Sequence, residues 1–205
     1  MMRNRNRRKS QGGNALIESA FAFIFLVPLM IGSVGVGMSL NRSIQANQVT
    51  RSAGHMYARG LNFSQTGNKQ LLVRMATGLN LQLTGGDGVV YLTRAVKVGD
   101  QQCLDGGVAI ASCTNRGQTV ITARIAFGNT SLRASSYGSP ASTFFNSNGD
   151  AAEADYLTKS ALVLPSFSST LDLGNGETAY IAETFFAPAG TGFGFAKGAY
   201  NRSIF

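Results

Sequence analysis

The chain has 205 residues, 44% of them hydrophobic and 14% charged, enough for one modest soluble domain beside a single membrane segment. The net charge of +8 suggests a nucleic-acid partner, but five of the eighteen Lys and Arg residues precede Gly13, leaving thirteen against ten acids. No basic stripe with interleaved aromatics remains in that part, so nucleic-acid binding is set aside.

Residues 1–13 form a basic head carrying Arg3, Arg5, Arg7, Arg8 and Lys9 and no acid. By the positive-inside rule such a head holds the N-terminus in the cytoplasm. From Ser19 to Leu40 there is no charge, and the run includes Phe21, Phe23, Ile24, Phe25, Leu26, Val27, Leu29, Met30 and Ile31. As a helix rising ~1.5 Å per residue, it spans the ~30 Å hydrocarbon core of a bilayer. Residues 14–40 are therefore expected to be a membrane helix. Pro28 lacks an N–H and should kink or loosen it, while Gly32, Gly35 and Gly37 permit close approach of another helix. The segment Gly32–Gly37 also mimics an ordinary signal-peptidase site, which keeps conventional secretion open as a lesser reading.

Glu18 stands at the edge of this span, where an ionised carboxylate costs roughly 2.5–3.5 kcal/mol to insert. It either rests idle at headgroup depth or has a task. The pattern of basic head, Gly13, four residues, Glu18 and apolar helix resembles the class III signal peptide of type IV pilins and pseudopilins. Gly13-Asn14-Ala15-Leu16-Ile17-Glu18 fits it position by position. The resemblance implies that a prepilin peptidase cuts after Gly13 on the cytoplasmic side, so that the mature chain begins at Asn14. It also implies that Glu18, then the fifth residue, pairs with the free N-terminal amine of a neighbouring subunit. Two buried charges that neutralise one another set register, each being costly alone.

Beyond Asn41 the polarity changes but helical spacing persists through Ile44, Val49, Ala53, Met56 and Tyr57, with Arg42, Arg51 and Arg59 between them. The helix is expected to continue as a juxtamembrane extension over residues 41–60, stopped by Gly60. Arg51 and His55 share one face of it, with His55 a surface or packed residue. A second helix is predicted from Asn68 to about Leu79 on Leu71, Leu72, Met75 and Leu79. After the turn Gly85–Gly88, Val89–Val98 reads as a strand with Val90, Leu92, Val96 and Val98 on one face and Arg94 as an exception. Gln118–Phe127 reads as its antiparallel partner, with Ile121, Ala123, Ile125 and Phe127 together on one face.

Cys103 and Cys113, ten residues apart, lie in the loop between these strands. With the head cytoplasmic, this loop is on the oxidising side, so a disulfide is the first expectation, contributing ~2–3 kcal/mol through the unfolded state. A metal site is the alternative, but the one histidine, His55, is distant in sequence. Asn129–Asp150 reads as a long loop. Ala151–Leu164 reads as a short helix capped by Asp150 and stopped by Pro165. Thr178–Phe186 reads as a further strand with Ile181 and Phe185 on one face and Tyr180 and Phe186 on the other. The Gly-rich tail with Phe193, Phe195, Tyr200 and Phe205 is read as a mobile end or a segment that orders against a partner.

The expected fold is thus α+β: a long N-terminal transmembrane helix extending into the periplasm, a second short helix, then a small antiparallel sheet within a periplasmic domain over residues 61–205. With its leader and disulfide, this layout resembles the TadE-like minor pilins of the tight-adherence (Flp pilus) system. The motif likeness covers roughly residues 3–60, and the rest agrees in layout alone. Ser19 stands where Flp-type prepilins commonly carry an aromatic, and Pro28 lies about one turn farther from the acid than in that family. TadF-like proteins and general-secretion pseudopilins therefore stay open beside it.

No catalytic constellation is visible. Nucleophilic catalysis needs a base near the nucleophile, and His55 sits on the juxtamembrane helix. Asp150, Glu153 and Asp155 read as a solvated helix start. Gly85-Gly86-Asp87-Gly88 and Asp105-Gly106-Gly107 read as turns rather than phosphate cradles. Calcium at one of these turns is the remaining metal reading, and neither a cofactor nor a metal is expected. The resemblance implies a minor pilin whose partners are the prepilin peptidase, other pilin subunits, the pilus assembly platform and the inner membrane. The alternative is an uncleaved single-pass protein with a periplasmic ligand- or partner-binding domain.

Overall fold

A computed structural model describes residues 11–164, 167–188 and 198–205. The basic residues Arg3 to Lys9, the helix stop Pro165 and the tail residues Phe193 and Phe195 lie outside the described residues. The fold is α+β, with a long apolar N-terminal helix, three shorter helices and a four-stranded antiparallel sheet among the described residues.

Helix α1 runs from Gln11 to Ala58, 48 residues and about 72 Å at 1.5 Å per residue. It passes through Pro28 as one helix, the missing N–H leaving the Ile24 carbonyl without its usual partner. Its two halves differ in what surrounds them. Ala46, Val49, Thr50, Ala53, Gly54 and Tyr57 recur at three and four residues and are all buried. This stripe packs on the strands β3 (Thr178–Phe186) and β4 (Ala199–Ile204). Arg59 is the last residue before Gly60, whose φ of +84° ends the helix in the left-handed region that glycine tolerates.

Helix α2 (Thr66–Met75) continues as a 3₁₀ turn over Thr77–Leu79. Leu72, Ala76 and Leu79 are its buried face, over Val90 and Leu92 of β1 (Gly88–Lys97) and over Ile125 and Phe127 of β2 (Thr119–Gly128). Leu71 and Met75, predicted to share the buried face, point outward. This short helix presents a single narrow stripe to a sheet already shared with α1, and the 72/76/79 stripe fills it.

The sheet order is β2-β1-β3-β4, and each neighbouring pair is antiparallel. β1 and β2 pair across the cysteine loop, as the sequence predicts. Their register shifts between Arg94 and Ala95, with Arg94 opposite Ala123 and Ala95 opposite Ile121, so Thr122 is the extra residue of a bulge. The bulge corrects the expected face of β2. Ile125 and Phe127 pack with the helices, whereas Ile121 joins Ala95, Ala179, Ile181 and Phe167 on the opposite side.

Two further expectations are overturned. Helix α4 (Glu153–Thr158) lies within the stretch expected to hold a short helix, but Ala152 stands at its N-cap position and no side chain caps it. Asp150 does not cap it. Its carboxylate instead accepts a bond from Arg94 at 3.1 Å, and its backbone bridges to Ala123 at the β2 edge. That pairing also explains why Arg94 is tolerated on the face of Val90 and Leu92. The end of the tail is neither mobile nor waiting for a partner: Ala199–Ile204 forms the edge strand β4 on β3.

Candidate functional site

The apolar half of α1 is exposed throughout: every residue from Ala15 to Asn41 lies open in the monomer. Phe25 is 74% exposed and Leu16 73%. A Val, Leu, Ile, Phe or Met side chain gains about 1.5–3 kcal/mol when fully buried, so an unbroken series of them calls for lipid or protein around it. The helix is long and apolar enough to cross a membrane, with a mean hydropathy of 2.2 in its best window. Its polar groups suit such a setting. Ser19 Oγ donates to the Leu16 carbonyl at 2.9 Å and Ser33 Oγ to the Met30 carbonyl at 2.8 Å, so both hydroxyls are satisfied within the helix.

Gly13 and Asn14 lie near the start of α1, and Glu18 lies one turn further along, exposed. Adding a Cβ at Gly32, Gly35 or Gly37 would meet nothing within 4 Å, which leaves that stretch open to another helix. His55 is exposed and its ring stacks on Phe205 with centroids 4.4 Å apart. Gly13, Asn14, Glu18 and Pro28 thus share the N-terminal half of α1, while the cysteines lie elsewhere.

Cys103 and Cys113 are joined, with Cα atoms 6.0 Å apart. Their loop holds α3 (Asp100–Asp105) and a 3₁₀ turn over Ile110–Ser112. It closes the end of the sheet away from the apolar half of α1, against Val98, Val120 and Leu157. The aspartates of the two Gly-rich turns have protein partners: Asn80 Nδ2 donates to Asp87 at 2.8 Å, and Gln101 Nε2 to Asp105 at 2.7 Å. Among the described residues no group of three His, Cys, Asp or Glu side chains is arranged to hold a metal ion.

One polar constellation was missed in the sequence. Glu183, in the middle of β3, is 1% exposed on the face turned away from the helices. It accepts from Ser135 Oγ, from the Ser136 amide at 2.9 Å and from the Tyr200 hydroxyl at 2.7 Å. Arg124 lies beside it and donates to Thr93 Oγ1 at 3.2 Å, to the Gly138 carbonyl at 2.6 Å and to Ser135 Oγ at 2.8 Å. Burial pushes the Arg124 guanidinium below its ordinary value, a trend that the Glu183 charge opposes. Burial likewise pushes the Tyr200 hydroxyl up to about 12. These bonds tie the loop after β2 onto the sheet. A lone acid between Ile181 and Phe185 was the available signal. A cleft of about 690 Å³ opens beside this network, bordered by Lys69, Tyr91, Phe145 and Asn148. Arg124 also reaches its wall, with each of its three nitrogens bonded within the fold.

Compared with known proteins, the chain matches no family model, no curated protein and no solved structure.

Proposed function

We propose that this protein is a minor pilin or pseudopilin of the type IV prepilin class, with the TadE-like proteins of the tight-adherence system as the nearest pattern. A prepilin peptidase cuts after Gly13. The mature chain is held in the inner membrane by residues 14–40, with its folded domain in the periplasm. From there it assembles into, or initiates, a surface fibre. Glu18 sets register by pairing with the Asn14 amine of a neighbouring subunit, an arrangement that exists only once the leader is removed.

The observation that carries this reading is the division of α1. One continuous helix offers a fully exposed apolar half, which bears the Gly13–Glu18 pattern, and a packed half, which anchors a disulfide-closed α+β domain. An uncleaved single-pass anchor would present the same helix, so the two readings part at processing and assembly. The test is Glu18→Ala in full-length protein. The variant should still be processed and membrane-bound, yet be absent from the sheared fibre fraction, whereas wild-type incorporation would remove the role given to Glu18.

A further inference from the structure

The packed half of α1 buries one stripe and leaves its outer face uncovered. Along that face run Ile44, Gln48, Arg51, His55 and Arg59, all exposed at helical spacing. Among the described residues no ion pair involves Arg51, His55 or Arg59, whereas Arg94, Lys97 and Arg116 are each matched to an aspartate. With His55 against Phe205 at its edge, this is a helix face whose two arginines make no ion pair among the described residues, on a chain with a surplus of only three positive charges after Gly13.

Three of the acids outside these ion pairs lie on α3 and α4. Asp105 ends α3, and Glu153 and Asp155 lie in the first turn of α4, with Lys159 beyond its end. The C-terminal end of α3 lies close to α4: a Cβ added at Gly106 would lie 3.7 Å from the Glu153 Cβ. Around these acids the disulfide loop exposes Leu104 (55%) and Ile110 (38%), giving an acidic lobe with an apolar margin. The lobe and the His55 end of the basic stripe lie toward the same end of the sheet. α3 and α4 sit at the Lys97/Thr119 end of the sheet, and Phe205, beside His55, pairs with Tyr180 at that same end.

We propose that the outer face of α1 from Ile44 to Arg59 docks a second copy of this chain through the acidic lobe of Asp105, Glu153 and Asp155. The proposal rests on the prepilin reading, because membrane insertion through α1 makes all copies stand the same way up. A two-fold contact of the stripe with itself would set arginine against arginine. A contact between unlike surfaces matches opposite charges, and a pair then leaves the lobe of one copy and the stripe of the other free, so the association continues instead of closing.

The test is photo-crosslinking of the full-length protein in membranes, with p-benzoylphenylalanine in place of Gln48. An adduct of two copies should form and map to the peptides carrying 100–113 or 153–158. Reversing the stripe with Arg51→Glu and Arg59→Glu should cut the adduct about tenfold, and adding Glu153→Arg and Asp155→Arg to the same chain should restore it. An adduct that maps to α1 of the second copy, an unchanged yield after reversal, or no recovery in the fourfold variant would overturn the proposal. N-terminal sequencing of the same samples separates the two claims. A start at Asn14 without the mapped adduct removes the contact and leaves the prepilin reading intact. An intact Met1 start with the mapped adduct does the reverse.

Discussion

Thr50 Oγ1 of α1 lies 2.6 Å from Thr184 Oγ1 of β3, both fully buried where the helix crosses the sheet. Thr50 donates its proton to the Ala46 carbonyl at 2.7 Å, so Thr184 is the donor between the two hydroxyls. Removing one partner leaves a buried group unsatisfied, whereas removing both leaves an apolar contact. Thr184→Val or Thr50→Val alone should cost about 1–3 kcal/mol, and the double valine variant less than the sum. Chemical denaturation of the full-length protein in detergent measures the cycle, and simple additivity would deny the pairing.

Gly54 is required by close approach. A Cβ there would overlap the ring of Phe205, which also stacks on His55. Gly54→Val should push Phe205 away, costing about 1–3 kcal/mol, and loosen β4 ahead of the other strands. Hydrogen exchange reads this as faster exchange at Asn201 and Ser203 with β1 unchanged.

Burial raises the hydroxyls of Tyr57 and Tyr200 from 10.0 to about 12. The folded state holds these protons more tightly than the unfolded state, so their stabilising contribution is complete below pH 10 and is lost as pH rises through 12. Thermal melts between pH 9 and 12 should therefore fall, and Tyr57→Phe should flatten the fall. A melting temperature independent of pH over that range would contradict the burial of these groups.

The Cys103–Cys113 bond closes a ten-residue separation. Reduction, or the paired change Cys103→Ser and Cys113→Ser, should lower stability by ~2–3 kcal/mol while leaving α1 in place. Urea denaturation with and without reductant checks it, and identical midpoints would show that the loop is held by Val98, Val120 and Leu157 alone.

Much of the fold was legible where local pattern and long-range packing agree. The uncharged run after Glu18 marks α1, the Cys103–Cys113 spacing marks a loop that two strands flank, and Thr178–Phe186 was delimited residue for residue by its alternation. What was not legible depends on distant partners. Tyr200-Asn201-Arg202-Ser203 has no strand pattern, and it becomes β4 because β3 offers a free edge and Phe205 docks on Gly54. The bulge at Thr122 inverts Ile121 relative to Ile125, a shift that uniform alternation cannot reveal. Asp150 looked like a helix cap because its partner, Arg94, is 56 residues away. Glu183 is satisfied by Ser135 and Ser136, 48 and 47 residues distant. Within the candidate site, the roles proposed for Gly13 and Glu18 rest on sequence spacing along one helix, a signal that needs no distant partner.

The central claim is that α1 begins its working life at Asn14. The most direct test is N-terminal sequencing of the protein from membranes of cells with and without a prepilin peptidase. The account predicts a start at Asn14 that disappears when the peptidase is absent. An intact Met1 start in both strains would contradict it and leave an uncleaved anchor carrying a periplasmic binding domain.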